Sequence, residues 1–213
     1  MAKTAAEDLL TPPIPEAEAE GQTAALYDEV RLRRGGRVFG QYRMMARAPQ
    51  LVRDALDLQD QHLHADDGVL DAKTREAIAL GVSVANGCED CVRSHAVKAK
   101  RIGWSEDDVT AILGLVAECA MLNAYHRHRE LDASLGLSAE SGLSFSLIED
   151  PPIDRLTAEL ILTVVSGINA CPACATFHAQ QCRKLGASDE QLREAVRVGA
   201  AMSAFNMYFR IQG

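Results

Sequence analysis

The sequence predicts an all-α protein built from two copies of one helical unit. Three observations predict it. Strand signals are scarce: aromatics make up 5% of the 213 residues, and no stretch alternates cleanly with β-branched residues. Ala, Leu, Glu and Arg, which favour helix, dominate the composition. The chain also repeats itself. Moved by 83 residues, Thr74–Arg127 lies over Thr157–Arg210 without a gap, matching Glu76 with Glu159, Ser83 with Ser166, Asn86 with Asn169, Gly103 with Gly186 and Asn123 with Asn206.

The elements follow in order. Residues 1 to 20 are rich in Ala, Glu and Pro and read as a mobile arm leading into a helix. Gln22 to Arg34 has helical apolar spacing (Ala25, Leu26, Val30) and stops at Gly35-Gly36. A second helix is expected over Pro49–His64, with Leu51, Val52, Ala55 and Leu58 on one face. Each repeat then reads as three helices. The first covers Ala72–Ala85, or Arg155–Ile168 in the second copy. Asn86-Gly87 and Asn169-Ala170 make the turn into a second helix. Gly103 and Gly186 sit where a left-handed helix cap belongs. Ser188-x-x-Gln191 opens the third helix of the second copy as a capping box, and Ser105-x-x-Asp108 opens that of the first as a weaker variant of one. Residues 130–152 are rich in Ser and Gly, end in Pro151-Pro152 and read as a connector holding at most a short helix.

These readings divide the chain into an arm and helix (1–37), a first repeat with its preceding helix (38–129), a linker (130–153) and a second repeat (154–213). A three-helix unit of this size cannot bury all its apolar faces alone. Val109, Ile112, Leu113 and Val116 are therefore expected to pack against Leu192, Ala195, Val196 and Val198 across a pseudo-twofold, or against other subunits.

Composition narrows the function. Hydrophobic residues are 47%, charged residues 24%, and the formal net charge is -8. That is an ordinary globular balance, and an acidic chain with no Lys/Arg run argues against nucleic-acid binding. The best apolar stretch, Ala111 to Leu122, is interrupted by Glu118 and falls short of the roughly 18–20 residues of a membrane span. MAKTAAEDLL lacks the basic start and apolar core of a signal peptide, so a cytoplasmic location is expected. Six cysteines in a reducing compartment point to redox or metal chemistry rather than a static disulfide scaffold.

Both copies contain one string: Glu, eleven residues, Cys, two residues, Cys, three residues, His. In the first it is Glu76, Cys88, Cys91 and His95, and in the second Glu159, Cys171, Cys174 and His178. At ~100° per residue, Cys88 and Cys91 share one helical face, and His95 stacks one turn beyond Cys91. A Cys pair at a helix N-terminus sits where the dipole favours thiolate. A nucleophilic thiol, a second thiol and an imidazole are the parts of a dithiol redox centre. Each Glu lies about three turns up the preceding helix. It reaches the His only if the two helices fold back antiparallel. Cys119 and Cys182 read as core thiols. The Asn-x-Tyr-x-Arg pairs (Asn123, Tyr125, Arg127; Asn206, Tyr208, Arg210) read as helix-end packing, and His62, His64, His126 and His128 as surface residues.

With its duplicated motif, the turn in REAIALGVSVANGCEDCVRSH and the upstream ALYDEV and APQLV segments, the chain resembles the alkylhydroperoxidase AhpD-like / carboxymuconolactone decarboxylase superfamily. The resemblance covers residues 71–127 and 154–210. It implies an AhpD-like all-helical fold that assembles into homotrimers or hexamers. It also implies a thiol-dependent alkyl hydroperoxidase or disulfide oxidoreductase with an antioxidant role. By that resemblance Cys91 and Cys174 attack the peroxide, Cys88 and Cys171 resolve, and Glu76 with His95 and Glu159 with His178 relay the proton. No cofactor or metal is called for. The partners would be a peroxide and a thiol reductant such as a lipoyl or thioredoxin-like protein, or a peroxiredoxin. Where the best-known members carry a His between the cysteines, this chain has Asp90 and Ala173. Two alternatives stay open: a non-redox lactone decarboxylase of the same superfamily, and a zinc-binding or adaptor module that uses the thiols as ligands.

Overall fold

Every secondary-structure element in the computed structural model is helical, among the residues it describes, which are 10–128, 134–136 and 142–212. The N-terminal part contributes α1 (Gly21–Arg33), α2 (Gly40–Met45) and α3 (Pro49–Leu58). A proline at the first position of α3 suits a site whose N–H has no helical partner. The helix expected over Pro49–His64 changes pitch on the way: Gln59–Leu63 forms a π-helical turn. The expected mobile arm needs a correction from Ile14 onward. Ile14 N donates to Arg43 O at 3.1 Å and Tyr27 Oη donates to Ile14 O at 2.7 Å, which ties this segment to α1 and α2. Residues 1–9 lie outside the described residues. Leu26, Tyr27, Val30, Tyr42, Met45, Val52 and Leu56 close into a small core of their own.

The first repeat supplies α4 (Ala72–Ala85), α5 (Glu89–Arg101) and α6 (Glu106–Arg127). After a short helix in the connector, α7 (Ser146–Glu149), the second repeat supplies α8 (Arg155–Ile168), α9 (Pro172–Lys184) and α10 (Asp189–Gln212). Other parts of the predicted connector lie outside the described residues. Both first helices start on an aspartate cap: Asp71 accepts from Thr74 N at 2.7 Å and Asp154 from Thr157 N at 2.8 Å. Both third helices carry a reciprocal capping box, Ser105 with Asp108 and Ser188 with Gln191. The turn into the second helix takes a left-handed residue in each copy, Gly87 (φ 67°) and Ala170 (φ 54°). Alanine pays a Cβ penalty there that glycine avoids.

The two repeats share one core rather than building two. Ile78, Leu80 and Val82 of α4, Ile112 and Leu115 of α6, Leu160, Ile161 and Val165 of α8, and Ala195, Val198 and Met202 of α10 form a single buried cluster. Val196, expected in that core, is 53% exposed, because α10 turns it outward between Ala195 and Val198. By length and composition α6 is apolar enough to cross a membrane, which the apolar run read from sequence understated. It buries Val109, Ile112, Leu115, Val116 and Cys119 in the core, as a central helix of a bundle does.

The third helices are exchanged across the pseudo-twofold. Asn206 on α10 donates to Ser83 on α4 at 3.4 Å, and Asn123 on α6 donates to Ser166 on α8 at 3.1 Å. Arg210 reaches Asn86 O at 3.4 Å, and Arg127 reaches Asn169 O at 3.1 Å. Each first helix is thus held by the other copy's third helix. Packing is also complementary between copies. Gly81 faces Val116, whereas the aligned positions in copy two hold the reverse pair, Val164 facing Gly199. A Cβ added at Gly199 would collide with Val164 Cγ1. Gly199→Ala is therefore expected to cost about 1–3 kcal/mol, as overpacked cores do. Urea unfolding checks this, and Val164→Ala in the same chain should recover part of the loss.

Candidate active site

The first site is assembled where α4 and α5 run back antiparallel. Cys88 caps α5, and its Sγ accepts from Cys91 N at 3.3 Å. Cys88 and Cys91 are joined in a disulfide. The sequence spacing left the Glu three turns away; the helical hairpin brings it home. Glu76, 1% exposed, accepts from His95 Nδ1 at 2.6 Å through Oε1. Its other oxygen, Oε2, pairs with Lys98 Nζ at 2.7 Å. Burial alone would raise the Glu76 pKa. The hydrogen bond and charge of His95, followed by those of Lys98, outweigh that and hold the carboxyl below its ordinary value. With Nδ1 committed to the carboxylate, His95 Nε2 is the ring nitrogen left for chemistry.

A cavity of about 250 Å³ opens on this site. Cys91, Ser94, His95 and Asp90 form one side. Gly40, Gln41 and Met44 of α2, and Gln59 of the π-turn, form another. Met202, Phe205 and Phe209 of the exchanged α10 complete it. A pocket of thioethers and aromatic rings with two amides fits an organic molecule better than a bare inorganic one.

The second site repeats the chemistry around a more deeply buried histidine. Glu159 Oε2 accepts from His178 Nδ1 at 2.7 Å, and Arg155 pairs with Oε1 at 2.7 Å. Cys171 and Cys174 are both buried free thiols. His178 is 1% exposed, against 13% for the His95 side chain, and its Nε2 is buried without a hydrogen-bond partner. Burial, and then the hydrogen bond with Cys171, pushes the Cys174 thiol up to about 12. Cys119 from the exchanged α6 lies against this site, with Sγ 3.5 Å from Ser166 Oγ, and burial raises its thiol to about 11. Cys182 is fully buried and also raised to about 11 by burial. Neither Cys119 nor Cys182 pairs with another cysteine, in keeping with core thiols.

All eight residues singled out from the sequence therefore gather into two sites of four. The sequence did not point to the two cations, Lys98 and Arg155, or to the pocket walls Gln41, Met44, Gln59, Phe205 and Phe209. No motif marks them. The pocket walls come from elements distant in sequence and meet the site only by packing, whereas Lys98 and Arg155 each lie one turn from a site residue on its own helix. Asn123 and Asn206, read as helix-end packing, are fully buried and knit the two copies together.

Fold and site define a helical dithiol protein whose Glu–His pairs stand behind CxxC helix starts. The chain belongs to the carboxymuconolactone decarboxylase family, whose model matches residues 49–126 and 139–208. It is similar to the alkyl hydroperoxide reductase AhpD of Corynebacterium aurimucosum, at 33% identity over 115 residues, or 54% of this chain and 65% of that protein. The chain thus spans just under two thirds of that relative. The AhpD of Streptomyces griseus is 32% identical over 127 residues, covering 59% of this chain and 71% of that one. The fold matches a crystal structure from Burkholderia xenovorans, provisionally described as a gamma-carboxymuconolactone decarboxylase subunit. Its TM-score is 0.62 at 17% identity, covering 93% of this chain and 96% of that one.

Proposed function

We propose that the protein is a thiol-dependent hydroperoxidase or disulfide oxidoreductase working through Cys88 and Cys91. One observation carries this reading: the Cys88–Cys91 disulfide lies beside a pocket of mixed polar and apolar lining that also holds His95, itself backed by buried Glu76. In the reduced protein His95 Nε2 takes the proton of the Cys91 thiol. The thiolate attacks the terminal oxygen of a hydroperoxide, the O–O bond breaks, and the departing alkoxide takes the proton back as an alcohol. Cys91 is left as a sulfenic acid. The Cys88 thiol attacks that sulfur, an S–S bond forms and water leaves. A dithiol reductant then reopens the disulfide with two electrons and two protons and is itself oxidised. A lipoyl or thioredoxin-like protein would supply these electrons, or a peroxiredoxin would use the pair as its own reductant. The Cys171–Cys174 copy, with Glu159 and His178, has the same groups around a histidine that is 1% exposed, so turnover is assigned to the first copy. The names of the AhpD relatives support the reading, and so does the family to which the chain belongs. A homo-oligomeric assembly in the cytoplasm is part of the same proposal.

A thiol count tests it on fully reduced, metal-free protein before and after excess organic hydroperoxide. Six thiols should fall to four as Cys88 and Cys91 close. A fall to two would put the second copy to work as well. An unchanged count would sink the peroxidase reading in favour of a non-redox activity of the family.

A further inference from the structure

The two sites differ most where the sequence repeat breaks down. Each buried relay carboxylate has one oxygen on its histidine and the other on a cation. In the first copy that cation is Lys98, one turn beyond His95 on α5, 2.7 Å from Glu76 Oε2. In the second it is Arg155, one turn before Glu159 on α8, 2.7 Å from Oε1. The positions are not equivalent. Lys98 aligns with Gln181, and Arg155 aligns with Ala72. The cation was therefore not inherited with the repeat: each copy supplies it from a different helix to the same place. Two independent solutions to one geometric demand mark that demand as part of the site.

We infer that Lys98 is a positioning residue of the first site, clamping the second oxygen of Glu76 so that the first oxygen fixes the His95 ring and leaves Nε2 free beside Cys91. This rests on the redox reading of that site. The physical reason is charge. A carboxylate that is 1% exposed faces a desolvation penalty that a single imidazole on one oxygen offsets only in part. A cation on the free oxygen keeps the carboxylate ionised. It also leaves the other oxygen to the His95 Nδ1 hydrogen bond, which keeps Nε2 as the ring nitrogen available to a thiol proton. Lys98 is suited to this because its side chain is 41% exposed: its stem reaches in while the ammonium keeps contact with water.

The surroundings of the ammonium favour the same state. His64 Nδ1 lies 3.5 Å from Lys98 Nζ. Desolvation of the His64 ring, with the charges of Lys98 and Arg34, lowers its pKa despite opposing contributions from Glu76 and Asp60. His64 thus stays neutral and accepts from Lys98 rather than competing for Glu76. Arg34 in turn is paired with Asp60 at 2.6 Å. The groups facing the pair are then His95 and Lys98 from α5 and His64 after the π-turn, with Arg34 and Asp60 behind it.

The test compares Lys98→Met, which keeps the stem and removes the charge, with Lys98→Arg, which keeps the charge. The readout is the pH dependence of Cys91 alkylation by iodoacetamide in the reduced Cys171→Ser/Cys174→Ser protein, followed by peptide mass, together with hydroperoxide turnover. In Lys98→Met the acid limb of both profiles should move up by about one pH unit or more, giving roughly tenfold slower reaction near neutral pH. Lys98→Arg should stay within about twofold of the parent. A superimposable Lys98→Met profile overturns the inference, and so does a Lys98→Arg variant as impaired as Lys98→Met, because the role would then be packing. Lys98→Gln repeats the comparison should the Met variant fold poorly. If the parent protein alkylates at Cys91 but turns over no hydroperoxide, the functional reading fails while the alkylation profile still decides the role of Lys98.

Discussion

Cys91→Ser should abolish hydroperoxide turnover, a loss on the order of 10³-fold or more, while Cys174→Ser should keep at least about half of it. The asymmetry is large because the two cysteines share a motif but not an environment. Cys91 and His95 both line a cavity, and the His95 side chain is 13% exposed. Cys174 is buried beside a histidine that is 1% exposed, and its thiol is pushed up to about 12 by burial and by Cys171. A thiol raised in this way is a poorer source of thiolate, which is the nucleophile. Steady-state assays with an organic hydroperoxide and a dithiol reductant measure both variants. Equal losses in the two would show that both copies work and that the second site opens in solution.

The second large effect is expected at the relay carboxylate. Glu76→Gln should slow turnover by roughly 10²-fold, within the usual range for losing acid–base assistance. The amide keeps the shape of the side chain but surrenders the charge that orients His95 and answers Lys98. Both partners can relax toward solvent, since the His95 side chain is 13% and the Lys98 side chain 41% exposed. The fold should therefore survive, which circular dichroism and a thermal midpoint would check. Direction with pH follows from the lowered Glu76 pKa. The carboxylate of the parent protein stays ionised below the ordinary carboxylate value, so its activity should persist to lower pH than a relay with an unshifted carboxyl would allow. Glu159→Gln should leave turnover near the parent value. A Glu76→Gln variant as active as the parent would remove Glu76 from the relay.

Much of this protein can be read along its chain, and particular residues show why. The bounds of α4 and α8 follow from Asp71 and Asp154, whose side chains cap the first turn, and from the Asn turns that end both helices. Such signals are local: donor, acceptor and turn lie within four residues. The CxxC-x3-His stripe is local too, because helix geometry alone sets three side chains on one face. Other features resist a local reading. Val196 sits at a helical spacing compatible with the core yet faces out, since the side of α10 that packs is chosen by α8 and α4. The tied-down stretch at Ile14 depends on Arg43 O and Tyr27, both remote in sequence.

The duplicated sequence by itself determined the helical class, the repeat and the two sets of four chemical residues. Those properties depend on spacing within a helix and on composition, which are present in any reading of the chain. Only the tertiary structure decided that the third helices are exchanged, that Glu76 and Glu159 meet their histidines, and that Lys98 reaches Glu76 from the neighbouring helix. It also decided the difference in access. One copy lies beside α2, the π-turn and the aromatic rings of α10 and keeps a cavity, while its twin is buried with Cys119 against it. The physical reason is that accessibility and electrostatic environment are set by whichever distant groups pack around a motif. Two identical motifs carry no information about that.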